Sequence, residues 1–294
     1  MNQPEKDLRD KNKLSKVENN TEQLTMPDVD LVLRKEIHHL AQQLFDNDSK
    51  GGINFTNSLL DICWRARDKD FLLIHNPGGW GSTRLEGCLR WERSVVEGVS
   101  TIVEQLGYTW LLIQHFRSGS SWWAHMRDVK EEARFFLKGK SSKARVLAAE
   151  LKFITQHLSN LKVILIGASQ GAAFSNAAMQ QLGEPHQVYS IELGIFFPHM
   201  SRRVVTERTL AIDSNGLMPD PMAHRNLKAG FKAYITAPFR WIKYRLQGKP
   251  EKFTYCINAP GHDYSWEYPE VQQRITSFLT ANFGTKNNLE IGLS

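Results

Sequence analysis

Ser169 stands at the centre of Gly167-Ala168-Ser169-Gln170-Gly171, after the apolar β-branched run Val163-Ile164-Leu165-Ile166 and before Ala172-Ala173-Phe174. That pattern predicts a strand, a tight turn and a helix, with the hydroxyl raised on the apex of the turn. A serine hydroxyl is a weak nucleophile until a base takes its proton. Ala259-Pro260-Gly261-His262-Asp263 offers His262 as that base, since imidazole titrates near neutral pH. A carboxylate must then hold the ring in one tautomer and stabilise its cation. Three carboxylates stand near predicted strand ends: Asp213, Asp220 and Glu192.

An acyl transfer at Ser169 also needs backbone N–H donors for the oxyanion. Gln170, the residue after the nucleophile, is one candidate. The loop His75-Asn76-Pro77-Gly78-Gly79-Trp80-Gly81 is the source of a second. Pro77 has no N–H to give, so the donor falls to Gly78, Gly79 or Trp80. Trp122 and Trp123 follow the second predicted strand and suit either a hydrophobic acyl pocket or a packed loop. His75 and His115 also follow strands, and with Asp213 they make a conceivable metal set; the preferred reading is that they shape loops. No metal or other cofactor is expected. The glycines at 78, 79 and 81 lack the spacing of a phosphate or dinucleotide cradle, and nucleic-acid-binding motifs are absent.

The elements that must position these groups are legible from periodicity. Residues 28–47 read as an amphipathic helix, with Leu31, Leu33, Ile37, Leu40, Leu44 and Phe45 near helical spacing. A break is expected over 47–52 and a short helix over 58–67. Strand and helix then alternate: strand 71–74, helix 84–106 closed by Gly107, strand 108–114, helix 143–159, strand 163–166 and helix 170–182. Strands 188–193 and 209–212, a helical stretch 220–246 interrupted near Pro238, strand 253–257 and helix 270–283 complete the series. Short apolar strands alternating with helices predict an α/β fold, a mostly parallel, doubly wound sheet of about six strands covered on both faces. In such a sheet reactive groups gather beyond the carboxyl ends of the strands.

The chain resembles the α/β-hydrolase superfamily over roughly residues 70–284, through the serine turn, the glycine-rich loop after the first strand, and the order Ser169, aspartate, His262 on successive strand ends. The resemblance implies a serine esterase or lipase-like enzyme that forms an acyl-enzyme on Ser169. It ranks Asp220 first as the acid, with Asp213 as the alternative and Glu192 third. It assigns the oxyanion donors to Gln170 and to Gly79 and Trp80, a Gly-Gly-Trp segment like that of some esterases. Two departures stand out: the loop lacks the usual His-Gly start, and the first 69 residues lack the alternating-strand hairpin of many members. The same residues would also serve an amidase or an acyltransferase. A catalytically silent fold that binds a ligand or a membrane is the alternative from another class.

With 294 residues, 41% hydrophobic and 23% charged, the chain suits one large domain with an extension. The expected divisions are a disordered tail at 1–27, a helical extension at 28–69 packed on the core, the main domain at 70–284, and a flexible tail at 285–294. The net charge of +6 and pI ≈ 9.2 are mildly basic, which serves solubility before it implies an anionic partner. Cys63, Cys88 and Cys256 are widely spaced, read as small buried hydrophobes in a reducing compartment. The polar start of the chain is unlike a secretory leader, and no apolar run has the length of a membrane span; a cytoplasmic protein is expected. The partner implied by the resemblance is a small-molecule or lipid-like ester. Residues 224–249 mix aromatic and basic residues with no acid. They suit either a surface helix with its aromatic face buried or a peripheral contact with an anionic membrane.

Overall fold

The computed structural model describes residues 31–45, 49–79, 81–117, 135, 141–183, 187–223, 227–248 and 260–286. The chain divides into two compact units, residues 1–60 and 61–294.

The first unit holds α1 (Leu31–Phe45) and most of α2 (Ser49–Ala66). The Phe45 and Phe55 rings meet at 5.4 Å. The break expected over 47–52 is shorter than the sequence suggests: α2 already contains Gly51 and Gly52. A Cβ on Gly52 would lie 4.0 Å from both Ala41 and Phe45, so small side chains are suited to where the two helices approach. The division between units falls within α2, before the end of the expected extension at residue 69.

The second unit is an α/β structure on a parallel sheet. Among the described residues five strands appear, β1 (Phe71–Asn76), β2 (Trp110–Gln114), β3 (Lys162–Ala168), β4 (Val188–Leu193) and β5 (Thr209–Ile212), in the spatial order β2-β1-β3-β4-β5. The sixth expected strand, 253–257, lies outside the described residues, as do the tail at 1–27 and most of 285–294. The helices described in this unit include α3 (Arg90–Gln105), α4 (Ser142–His157), α5 (Gln170–Leu182), the short α6 (Phe197–Met200), α7 (Leu227–Leu246) and α8 (Pro269–Phe283). The helix expected from residue 84 starts later. A single 3-10 turn occupies Leu85–Gly87, and extended backbone at Cys88 separates it from α3.

The central strands are buried at all but one residue each of β3 and β4, because both faces are covered. Every residue of β1 is buried, and apolar runs without alternation are what two covered faces demand. Phe71 and Leu73, Ile164 and Ile166, and Ile191 and Leu193 join one core cluster with Val95, Val99, Ile275 and Leu279 from α3 and α8. The intervening residues point to the opposite face, where α5 packs on β3 and β4 and against α4. No helix among the described residues is long and apolar enough to cross a membrane.

The strand order fixes where a site can form. The chain steps from β1 outward to β2, then returns past β1 to β3. Loops leaving β1 and β3 therefore diverge, and a crevice opens between their carboxyl ends. Asn76 of β1 stands in register with Gly167 of β3, so the glycine-rich loop and the serine turn start side by side.

Candidate active site

Ser169 has φ 54° and is the one non-glycine residue with positive φ among the described residues. Its N–H donates to Leu193 O at 2.8 Å. An L-residue in this region is strained, by about 1–3 kcal/mol, and persists only where its surroundings enforce it. Those surroundings are visible on both sides. A Cβ on Gly171 would lie 2.0 Å from Asn76 O, and one on Gly167 would lie 2.6 Å from Gly171 O. The two glycines are thus required by close approach. Asn76 adds a tie across the same contact: its Nδ2 donates to Ser175 Oγ at 2.8 Å, and that hydroxyl donates to Gly171 O at 3.0 Å.

The glycine-rich loop is clamped beside this turn. Gly78 donates its N–H to Glu92 Oε1 at 2.9 Å, which removes it from the candidate oxyanion donors. Arg117, buried to 1% exposure, donates to Pro77 O at 2.7 Å and to Gly79 O. Gly79 has φ +56°, and its N–H makes no hydrogen bond among the described residues. Gln170 begins α5, where the first N–H groups of a helix have no intrahelical acceptor and carry the positive end of its dipole. Trp80, Trp122 and Trp123 lie outside the described residues.

Asp220 is eight residues past β5 in sequence yet returns to its end. Ser214 and Pro219 form an antiparallel bridge, Asn215 Oδ1 accepts the N–H groups of Leu217 and Met218 at 3.0 Å, and Asp220 N donates to Asp213 O at 3.3 Å. The excursion closes on itself and delivers a fully buried carboxylate. Asp220 Oδ2 accepts from His262 Nδ1 at 2.7 Å and from Tyr264 OH at 2.6 Å, while Oδ1 accepts from Met222 N at 2.7 Å. Burial opposes ionisation of this carboxyl, but the three donors and the facing imidazole outweigh it and hold Asp220 below the usual carboxylate range. Tyr264 responds in the opposite sense: burial and the adjacent Asp220 charge push its hydroxyl far upward, so it stays a neutral donor.

The His262 ring is held edge-on by Trp91 at 6.1 Å and Tyr264 at 6.0 Å between centroids. Nδ1 is engaged by Asp220, and Nε2 makes no hydrogen bond among the described residues. The end of β4 links this pair to the serine turn. Leu193 accepts the Ser169 N–H, and a Cβ on the next residue, Gly194, would lie 2.7 Å from Asp220 Oδ2. Ser169, Gln170, Gly79, Asp220 and His262 therefore gather at one end of one sheet.

The other two carboxylates are committed elsewhere. Asp213 receives both its oxygens' bonds from Arg203 Nη1 at 2.9 and 2.7 Å, and Glu192 Oε2 receives Arg203 Nε at 2.8 Å. Glu192 also accepts from Asn176 and Ser190. Burial raises its carboxyl pKa in spite of these partners.

The metal set of His75, His115 and Asp213 is not assembled. Asp213 faces Arg203, and His115 stacks on Phe174 at 5.3 Å; burial, with Arg117 and Lys143 nearby, pulls the His115 pKa down to about 4. His75 instead groups with Cys88 and Glu92. Its ring is already occupied, Nε2 by Glu92 at 2.9 Å and Nδ1 by Gln114 Nε2 at 3.0 Å, so this group reads as a hydrogen-bonded strut. Cys63 and Cys88 are both buried.

Sequence reasoning missed Glu92, Arg117 and Tyr264. Glu92 and Arg117 carried no signal, because a charge in a first helical turn or after a strand reads as solvated. Tyr264 stands two residues past His262 and reads as core, which it also is.

No protein-family model matches the chain, and no curated protein is detectably similar to it in sequence. The arrangement of side chains at the sheet end is therefore what the functional reading has to rest on.

Proposed function

We propose that this chain is a serine hydrolase of α/β-hydrolase type that cleaves a carboxylic ester through an acyl-enzyme on Ser169. The observation that carries the reading is the strained backbone of Ser169 at the end of the sheet that also holds the Asp220–His262 pair. Strain of this kind concentrates where a side chain must be presented for chemistry.

On this reading His262 Nε2 takes the Ser169 hydroxyl proton as Oγ bonds to the acyl carbon. Asp220 holds the proton on Nδ1 and stabilises the imidazolium that forms. The carbonyl oxygen becomes an oxyanion that accepts from the N–H groups of Gln170 and Gly79. Collapse of the tetrahedral intermediate breaks the bond to the alcohol, which leaves with the proton from His262. Water then repeats the sequence, loses a proton to His262, and releases the acid and free Ser169.

The test is labelling with a fluorophosphonate probe followed by turnover of an ester series of increasing chain length. Wild type should be modified at Ser169, and S169A should be spared, with ester turnover reduced about 10⁶-fold. Equal labelling of both proteins rejects the proposal. Product analysis with water, alcohol and amine acceptors then separates ester hydrolysis from acyl transfer and amide cleavage.

A further inference from the structure

Over residues 235–246 the helix α7 turns an apolar stripe outward. Ile235, Phe239, Ile242 and Leu246 are 58%, 70%, 50% and 83% exposed. They recur at i, i+4, i+7 and i+11, which places all four within about 60° of arc at 3.6 residues per turn. The opposite side carries Thr236, Arg240, Trp241 and Tyr244, all half-buried. A surface helix of a globular protein normally has the reverse orientation. An exposed apolar stripe of this kind marks a contact surface.

Charge says what the stripe fits. Lys243 and Arg245 are exposed, and at helical spacing they fall one on each side of the stripe. Residues 221–250 contain seven Lys or Arg and no Asp or Glu. The Arg245 guanidinium lies 4.3 Å over the Trp241 ring. An apolar stripe with cationic flanks is the pattern of a helix that lies in the plane of an anionic bilayer, its apolar side among the acyl chains and its cations against the headgroups. A second copy of this chain is a poor match, because two such faces would bring like charges together. We infer that α7 docks this protein onto an anionic lipid bilayer. The docking does not depend on the chemistry proposed at Ser169.

Flotation of the full chain with vesicles tests it, using phosphatidylcholine alone and phosphatidylcholine with about a third phosphatidylglycerol. The chain should float with the anionic vesicles, should remain behind with the neutral ones, and should be released by high salt. The double variant F239E/I242E should weaken binding by more than tenfold. The variant K243Q/R245Q, which leaves the apolar stripe untouched, should weaken it about fivefold per charge removed. All four positions are exposed, so circular dichroism and the melting temperature should match wild type. S169A should bind as wild type does, and both helix variants should keep wild-type turnover of a water-soluble ester.

Three results would overturn the inference: no flotation with anionic vesicles, equal flotation with neutral ones, or binding unchanged in both helix variants. Concentration-dependent dimerisation lost in F239E/I242E, without vesicle binding, would assign the stripe to self-association instead.

Discussion

Two histidine–carboxylate pairs of nearly equal length sit near the same end of the sheet. His262 Nδ1 meets Asp220 Oδ2 at 2.7 Å, and His75 Nε2 meets Glu92 Oε1 at 2.9 Å. Each carboxylate also accepts a backbone N–H, from Met222 in one case and Gly78 in the other. The pairs differ at the second ring nitrogen. His75 Nδ1 faces the Gln114 amide, and its side chain is 1% exposed. His262 Nε2 has no partner among the described residues. A general base needs an available lone pair, and a ring bonded at both nitrogens is a strut. Distance to a carboxylate cannot tell the two apart; the fate of the other nitrogen can.

The same lesson holds for the acids. Asp220 faces a ring that can gain and lose a proton, whereas Asp213 and Glu192 share Arg203, which cannot be deprotonated in proteins. A carboxylate fixed to guanidinium contributes position and charge balance, and it has no means to follow a proton-transfer cycle.

The sharpest way to break the comparison is to delete each ring. His262→Ala should lower kcat for an ester by about 10⁵-fold. Asp220 keeps the Tyr264 and Met222 donors but loses its ring partner, so stability should also fall by about 1–3 kcal/mol. His75→Ala should cost stability and little turnover. It leaves Glu92 buried without its ring partner, so stability should fall by about 3 kcal/mol, and turnover should suffer only as far as the Gly78–Gly79 loop shifts. Urea midpoints and kcat measured on both variants check this; equal loss of turnover in both would erase the distinction.

The acids give the next largest effect. Asp220→Asn should cost about 10⁴-fold in kcat, because the amide favours the wrong ring tautomer. Asp213→Asn should cost less than about tenfold in kcat while lowering stability by about 1–3 kcal/mol through loss of the paired bonds to Arg203. A steady-state comparison of the two variants with one ester decides it.

How much of this was legible in the sequence follows from range. The serine turn, α5, β4 and β5 were found at their observed limits, because apolar runs and the glycine pentad are local signals. Asp220 was readable as a candidate beside Asp213 and Glu192, but the choice depends on Arg203 and on the bridge from Ser214 to Pro219. Neither leaves a mark on the local pattern around Asp220. The late start of α3 was missed because Leu85 and Leu89 keep helical spacing through an extended break at Cys88. For residues 224–249 the sequence left two orientations open, an aromatic face buried on the protein or one turned out toward a membrane, for a related reason. Periodicity separates the two faces of a helix and cannot say which one meets the protein.

Glu150 extends the comparison to a buried carboxylate with no ionic partner. It has no hydrogen bond or ion pair among the described residues, and burial alone pushes its pKa up to about 7. An acid whose folded pKa exceeds its unfolded value binds more protons when folded. Stability therefore falls as pH rises from about 4.5 through 7, by up to about 3 kcal/mol. Glu150→Gln removes that penalty. It should be more stable than wild type at pH 8 by roughly that amount and within about 1 kcal/mol of it at pH 5, as read from urea midpoints. A constant difference across the two pH values would mean that Glu150 is not burdened by its charge.

Tyr264→Phe probes the smallest of the differences, the second donor on Asp220. Removing that hydroxyl leaves Asp220 with His262 and Met222, so ring orientation weakens without being lost. kcat should fall about tenfold, and stability at pH 7 by about 1–2 kcal/mol. The pH dependence carries the mechanism. Asp220 is held below the usual carboxylate range in the folded state. It therefore adds stability above its unfolded pKa of about 3.9 and loses it as pH falls through the lower folded value. Without Tyr264 the folded pKa rises toward the unfolded one, so less of this contribution exists to be lost. The gap between wild type and Tyr264→Phe should therefore narrow from pH 7 to pH 3. A gap that stays constant would place the effect of Tyr264 in packing against Trp91 and leave the Asp220 carboxylate out of it.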